Sequence, residues 1–382
     1  MNGRKKTFAT LKQSISKSDK VIWMHAASLG EFEQGLPIIE KLRLEFPSYK
    51  ILVSFFSPSG YEIKKDTAAA DIVTYLPIDT IQNVKTFIEL TNPTLAIFVK
   101  YEIWPNYLKR LKEKQIPVVL VSGIFRKKQI YFKSYGFYMR KALKCFTHIF
   151  VQNEASKQLL SSINISNSTV NGDTRLDRVS EILKRDNHLS FMKNFKNNQP
   201  CLVAGSTWPE DEAILIDYIN NHPKKLKFVI APHEIKTEKI LGLAGTILKK
   251  TALLSNVDEN TISNYEVLII DNIGMLTKIY SYADIAYVGG GFATGLHNTL
   301  EPAVFGIPVI IGPNYDGFKE VEDLIDQKGI LPIADAWSFS ELIKKLLSQP
   351  QFLLKTGEIN AQYIIKNKGA SIQIIRYLRT LL

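Results

Sequence analysis

What the chain has little of narrows it first. Only Cys145 and Cys201 stand in its 382 residues. Both lie in apolar surroundings, and neither has metal-ligand or disulfide-framework spacing. That excludes a disulfide scaffold and fits a reducing compartment. No run of about 18 consecutive apolar residues occurs, so no spanning helix is expected. A signal-peptide pattern is missing too. No His/Cys/Asp cluster has the spacing of a metal site, so neither metal nor cofactor is expected. The glycine-rich stretch at 289–302 lacks the GxGxxG spacing of an ordinary NAD site. Acidic residues are absent from 125 to 146.

The length is more than one core needs and suits two domains. Hydrophobic residues make up 45% and charged residues 22%, the balance of a globular body. The net charge of +11 is unevenly spread: residues 1–150 hold 24 Lys and Arg against 12 Asp and Glu, the remainder 24 against 25. Such segregation points to an anionic partner (nucleic acid, acidic lipid or phosphorylated substrate) as readily as to a charge kept for solubility. The chain opens on Arg4, Lys5 and Lys6. A chain trimmed of an N-terminal anchor would open in this way.

Short apolar runs alternate with helical patterns. The first half offers strands at 21–27, 51–56, 95–102, 118–124 and 149–153, and the second at 202–206, 228–231, 267–271, 285–289 and 309–312. Continuous apolar strands between helices imply parallel sheets covered on both faces. The fold class expected is α/β with two doubly wound domains facing a cleft. The polar stretch 184–199 reads as a linker between residues 1–183 and 200–349, with 350–382 as a terminal helical segment. Ligands in such folds bind beyond the carboxyl ends of strands.

The motifs fall there. HAASLGE at 25–31 turns from strand to helix and leaves Glu31 near the helix start, as a general base or as a partner for the helix dipole. KYEIWPN at 100–106 places Glu102 at a strand end and Pro105 in the first turn of a helix. In GDTRLD at 172–177, Arg175 offers a forked cation to phosphate or carboxylate, or pairs with Asp173 or Asp177. In GSTWPEDE at 205–212, Ser206 or Thr207 suits a helix cap or a phosphate oxygen. Pro232 and His233 follow another strand and suit the framing of a nucleobase, although His233 also reads as an ordinary surface histidine. The strongest local signal is GGGFATGLHNTLEP at 289–302, a glycine turn opening a helix whose amides suit phosphate and whose Glu301 suits a ribose diol.

From 125 to 146, seven Lys and Arg interleave with Phe125, Tyr131, Phe132, Tyr135, Phe137 and Tyr138. Basic plus aromatic suits an anionic membrane interface, and this reading is preferred. Stacking of single-stranded nucleic acid, or a core-facing stripe with a basic back, would use the same residues.

Taken jointly and in order, the motifs resemble those of the bacterial 3-deoxy-D-manno-octulosonic acid (Kdo) transferases. HAASLGE is similar to HAxSxGE, KYEIWPN to ETExWPN, GDTRLD to GxLKFD, APHE to APRH, DNIGML to DTxGEL and GLHNTLEP to GGHNxLEP. The resemblance spans roughly residues 21–310. It implies a GT-B fold of two Rossmann-like domains, the acceptor mainly on the first and CMP-Kdo mainly on the second. Residues 350–382 would then cross back to the first domain. It gives Glu31 the role of base and Glu102 and Arg175 the role of transition-state stabilisers. Contacts to CMP fall on Pro232, His233, Ile273, Gly274, Met275, Asn298, Thr299, Leu300 and Glu301. Several positions depart from the family pattern. Lys100 replaces the first Glu of ETExWPN, Arg175 replaces Lys, Met275 replaces Glu, and the Arg of APRH is missing.

The resemblance implies an inverting transfer of Kdo from CMP-Kdo to a lipid A precursor (lipid IVA) in lipopolysaccharide core biosynthesis. The enzyme would work at the cytoplasmic face of the inner membrane, on an anionic surface, without nucleic acid as a partner. Three rivals stand beside it: a GT-B transferase or epimerase using another nucleotide sugar, a non-catalytic membrane scaffold, and a nucleic-acid-binding protein. The last would have no need of the 289–302 motif on the neutral half.

Overall fold

The structure, a computed structural model, describes residues 2–222, 226–293 and 295–382, with the side chains of Asn2, Gly3 and Lys5 left aside. Thr294, inside the glycine-rich motif, therefore lies outside the described residues. The chain divides into two compact units, Met1–Arg178 with Asn367–Leu382, and Val179–Lys366.

Unit 1 holds seven strands: β1 Lys20–Ala26, β2 Tyr49–Phe55, β3 Ile72–Tyr75, β4 Leu95–Val99, β5 Val118–Gly123, β6 His148–Val151 and β7 Ser168–Val170. Unit 2 holds β8 Cys201–Thr207, β9 Lys227–Pro232, β10 Thr251–Leu253, β11 Val267–Ile269, β12 Ile285–Val288, β13 Val309–Ile311 and β14 Ile330–Pro332. The sheet orders are β3-β2-β1-β4-β5-β6-β7 and β10-β11-β9-β8-β12-β13-β14. All pairings are parallel. Helices cover both faces, which is why β4 is buried along its whole length and reads LAIFV without a polar alternation. In unit 1, Trp23, Phe87, Phe98 and Tyr107 fill one face, while Met24, Phe32, Phe55 and Val99 fill the other. The core of unit 2 gathers Leu215, Phe228, Tyr287 and Phe339.

The order in which strands are laid down places the functional edge. The chain builds outward from β1 to one side, then returns to add β4 on the other, so the reversal falls between β1 and β4. Unit 2 repeats this between β8 and β12. At such a reversal the two loops diverge and leave a crevice at the carboxyl ends. HAASLGE follows β1 and KYEIWPN follows β4; GSTWPEDE follows β8 and the glycine stretch follows β12.

Two segments differ from the sequence expectation. Residues 184–199 contain the helix Ser190–Lys196, whose Phe191, Met192 and Phe195 are buried in unit 2. Polar residues flank an apolar face there, and composition alone reads that as a linker. At the other end, the helix Pro350–Asn367 stays with unit 2 as far as Lys366, while Ala370–Leu378 packs on the helix Leu29–Glu45 of unit 1. Ile374, Ile375 and Leu378 complete that core face, and Arg379 makes a forked ion pair with Glu45 at 2.6 and 2.7 Å.

Candidate active site

In unit 1 the site grows from the end of β1. The helix Leu29–Glu45 starts at Ser28, whose side chain makes no capping bond. Glu31, three residues in, instead turns back and accepts the Ala27 N–H at 2.5 Å. A Cβ at Gly35 would collide with Met24, so this glycine sets how closely the helix lies on β1. The result is a half-buried carboxyl with its pKa pushed up to about 7. Burial is the leading cause and the nearby charge of Glu102 the second. The Ala27 and Ser28 amides and the Lys100 ammonium pull the other way.

Glu102 is held by a chain of hydrogen bonds. Its Oε2 accepts the Trp104 indole N–H at 2.7 Å and lies 3.0 Å from His25 Nε2. His25 is fully buried, and its Nδ1 lies 2.9 Å from Ser54 Oγ. Ser54 Oγ in turn accepts the Trp23 N–H at 2.8 Å. The Ser54 carbonyl lies 3.0 Å from the same Nδ1, so Ser54 encloses one ring nitrogen while the other faces Glu102. The loop itself is anchored by Asp79, which accepts the Asn106 and Tyr107 N–H groups at 3.1 Å each. Lys100 turns the corner with φ of +63°, a strained conformation for a side chain of its size.

Arg175 arrives by a different route, because β7 lies at the sheet edge. Thr174 donates to the Gln34 carbonyl at 2.6 Å and lies 2.9 Å from Ser122 Oγ, drawing the helix Thr174–Ile182 back over the sheet. Arg175 is then near enough to act on the Tyr101 phenol, as are Glu31 and Arg126. Its guanidinium forks onto Asp173 at 2.6 and 2.8 Å. Asp177 of the same motif accepts the Gly369 and Ser371 N–H groups at 2.8 and 3.0 Å, fastening the returning C-terminal segment.

Unit 2 is organised by a residue absent from the sequence-based set. Asp211 is fully buried and accepts from the Tyr287 hydroxyl at 2.6 Å, the Gly290 N–H at 2.8 Å and the Trp208 N–H at 2.9 Å. It thereby ties the β8 loop to the glycine turn after β12. Ser206 bends with φ of +55° and Thr207 bonds to Glu212 Oε1 at 2.9 Å, so Trp208 and not either hydroxyl residue occupies the cap position. Pro232 ends β9, and His233 stacks on Trp208 at 4.7 Å with 24° between the rings. Glu301 accepts Thr277 Oγ1 at 2.7 Å and Asn298 Nδ2 at 3.1 Å. Thr299 and Leu300 are buried, and the Leu300 amide is taken by Asn298 Oδ1 at 3.1 Å. The helix that follows is only the single turn Leu300–Ala303, shorter than the motif suggests. Ile273 is 89% exposed, Gly274 has φ of +99°, and Met275 precedes the short helix Leu276–Ile279.

Residues 2–178 match the family model described as 3-Deoxy-D-manno-octulosonic-acid transferase (kdotransferase). The 3-deoxy-D-manno-octulosonic acid transferase of Rickettsia bellii is 29% identical over 337 residues, covering 86% of this chain and 79% of that protein. That of Haemophilus influenzae is 26% identical over 376 residues, covering 94% and 86%. Over most of its length the chain is similar to the Kdo transferases. It is a glycosyltransferase. Among solved structures, a UDP-GlcNAc 2-epimerase from Neisseria meningitidis bound to UDP-GlcNAc aligns with a TM-score of 0.65 at 16% identity, covering 94% of this chain and 100% of that one. That likeness shows the fold, GT-B with two Rossmann-like units.

In this chain the basic aromatic stretch divides in two. Phe125, Tyr131 and Phe146 are buried, and Phe132 packs against the same core. Tyr135, Phe137 and Tyr138 are 75%, 60% and 61% exposed, around the short helix Phe137–Leu143. Arg140 donates to the Tyr131, Lys133 and Ser134 carbonyls and knits the loop together. Among the described residues no helix is long and apolar enough to cross a membrane.

Sequence reasoning missed His25, Ser54, Asp79 and Asp211. His25 heads a motif it did single out, but its partner Glu102 lies 77 residues away. Asp211 carried a signal as well, an acid three residues after a cap position, which here doubles as a buried strut.

Proposed function

We propose that this chain transfers Kdo from CMP-Kdo to a lipid A precursor of the lipid IVA type, with inversion at the anomeric carbon. The observation that carries the reading is the state of Glu31. A carboxyl poised near neutrality at a strand-end crevice suits a general base, whereas an ordinary one is too weak. Glu31 takes the proton of an acceptor hydroxyl, whose oxygen attacks the anomeric carbon while the bond to the CMP phosphate breaks. The transition state has oxocarbenium character. Glu102, fixed by His25 and Trp104, answers its positive charge, and Arg175 answers the negative charge left on the phosphate. Unit 2 takes the nucleotide around Trp208, His233 and the turn at Gly289, Gly290 and Gly291. Asn298 and Glu301 supply polar contacts, and Thr299 and Leu300 shape the floor from within the core.

The acceptor is anionic and amphiphilic. Unit 1 offers the matching surface in exposed Tyr135, Phe137 and Tyr138 amid Arg126, Lys127, Lys128, Lys133, Lys141 and Lys144. Peripheral attachment to the cytoplasmic face of the inner membrane follows from this reading.

The test is a transfer assay with CMP-Kdo and tetraacylated lipid A precursor, run on the parent chain and on Glu31→Ala. Transfer by the parent and a loss of about a thousandfold in the variant are expected. Equal transfer by both would remove Glu31 as base. An inactive parent that uses a UDP-sugar instead would overturn the Kdo reading.

A further inference from the structure

Trp208, His233 and His297 meet at the ends of β8, β9 and β12. The His233 ring packs against both of the others, stacked on Trp208 and 4.5 Å from His297. The Trp208 indole N–H donates to His297 Nε2 at 3.0 Å. An indole nitrogen has no lone pair to offer, so the direction of this bond is fixed. Nε2 must carry the lone pair, and the one proton of a neutral imidazole sits on Nδ1. A second proton would set N–H against N–H. Partial burial and the adjacent His233 also hold His297 below the ordinary histidine range. Asp211 acts in the opposite sense, but its oxygens are already engaged by Tyr287, Gly290 and Trp208. The ring itself is set by two backbone anchors: the His297 N–H on the Gly289 carbonyl at 3.1 Å and the Trp208 N–H on Asp211 at 2.9 Å.

We infer that Trp208 is a positioning residue that holds His297 as a neutral imidazole protonated on Nδ1, so that this ring gives a phosphate of the nucleotide donor a fixed hydrogen bond. The ligand half of this inference rests on unit 2 being the nucleotide-sugar half. The consequence is chemical. A locked neutral imidazole stabilises charge on the departing phosphate but does not protonate it, so CMP leaves as the anion. His297 then adds no titration of its own to the pH profile near neutrality, which is left to Glu31.

The experiment is long-range 1H–15N NMR on protein labelled with 15N-histidine, with the His297 signals assigned through their loss in His297→Gln. In the parent, His297 should show a protonated Nδ1 and a bare Nε2 at pH 7, and should titrate below the ordinary histidine range. Trp208→Phe keeps the stack on His233 but removes the donor. It should mix the tautomers, move the His297 titration up toward the ordinary value and weaken CMP binding about tenfold in calorimetry. Trp208→His restores a ring N–H and should recover part of both effects, which general damage to the fold would not allow. A His297 that is charged at pH 7, or protonated on Nε2, overturns the lock, as does a Trp208→Phe variant with unchanged signals. Unchanged CMP affinity in Trp208→Phe overturns the phosphate role. If the parent shows the lock but binds no CMP, the nucleotide reading of unit 2 falls, and the phosphate role falls with it.

Discussion

At the scale of single residues, the proposed base role of Glu31 depends on the balance of charges around it. A base must be ionised to work, so kcat/KM should rise with pH and level off above about 7. Glu102→Gln removes a negative neighbour and should shift that limb to lower pH, whereas Lys100→Met removes a positive one and should shift it higher. A pH–rate series on both variants checks the two opposite displacements. Stability carries the same signature. The folded carboxyl keeps its proton up to about 7, while the unfolded one loses it near 4.5. Stability therefore falls as pH rises through that window and is then constant. Glu31→Gln escapes this cost and should be more stable than the parent by up to about 3 kcal/mol above pH 7, with no gain below 4.5. Denaturant titrations at pH 4 and pH 8 measure the difference.

At the scale of elements, loops after different strands are joined by single buried groups. Asp211 serves the β8 loop and the glycine turn together, so Asp211→Ala leaves three donors without a partner. It should cost about 3 kcal/mol or more and weaken nucleotide binding at the same time, measured by chemical denaturation and by CMP titration. Close backbone approach makes a second demand. A Cβ at Gly291 would lie 2.8 Å from the Gly312 backbone, so Gly291→Ala must push the turns after β12 and β13 apart. Among the strands, the ten central ones were legible in the sequence because each needs a continuous apolar run. The four that were not legible, β3, β7, β10 and β14, are the sheet edges. Partnered on one side only, they are short and carry less apolar sequence, so no pattern distinguishes them from loop.

At the scale of the whole molecule, positive charge and exposed aromatics are concentrated in the first part of the chain. The protein should bind vesicles containing anionic lipid and detach as salt is raised, because surface attraction is screened beyond about a Debye length. Replacing Tyr135, Phe137 and Tyr138 together by Ala should lower the partition coefficient at least about tenfold in sedimentation assays, with little change in melting temperature. Equivalent changes at the buried Phe125 or Tyr131 would unfold the region instead. Their interleaving in sequence concealed this division. Spacing sorts residues on a long helix, but the segment is a loop with one short helix, and only its packing decides which rings turn inward.

The sequence by itself determined two parallel sheets, the strand ends at which chemistry gathers, and the motifs that carry Glu31, Glu102 and Arg175. These are local properties: an apolar run makes a buried strand, and a turn after it makes a crevice wall. The tertiary structure alone decided the state of those groups. Burial and Glu102 raise the pKa of Glu31, Glu102 is fixed by His25 from another strand, and Arg175 is placed by Thr174, which bonds across to Gln34 and Ser122. Electrostatic free energy depends on which distant segments exclude water and bring charges together, and no neighbouring residue in the chain encodes that.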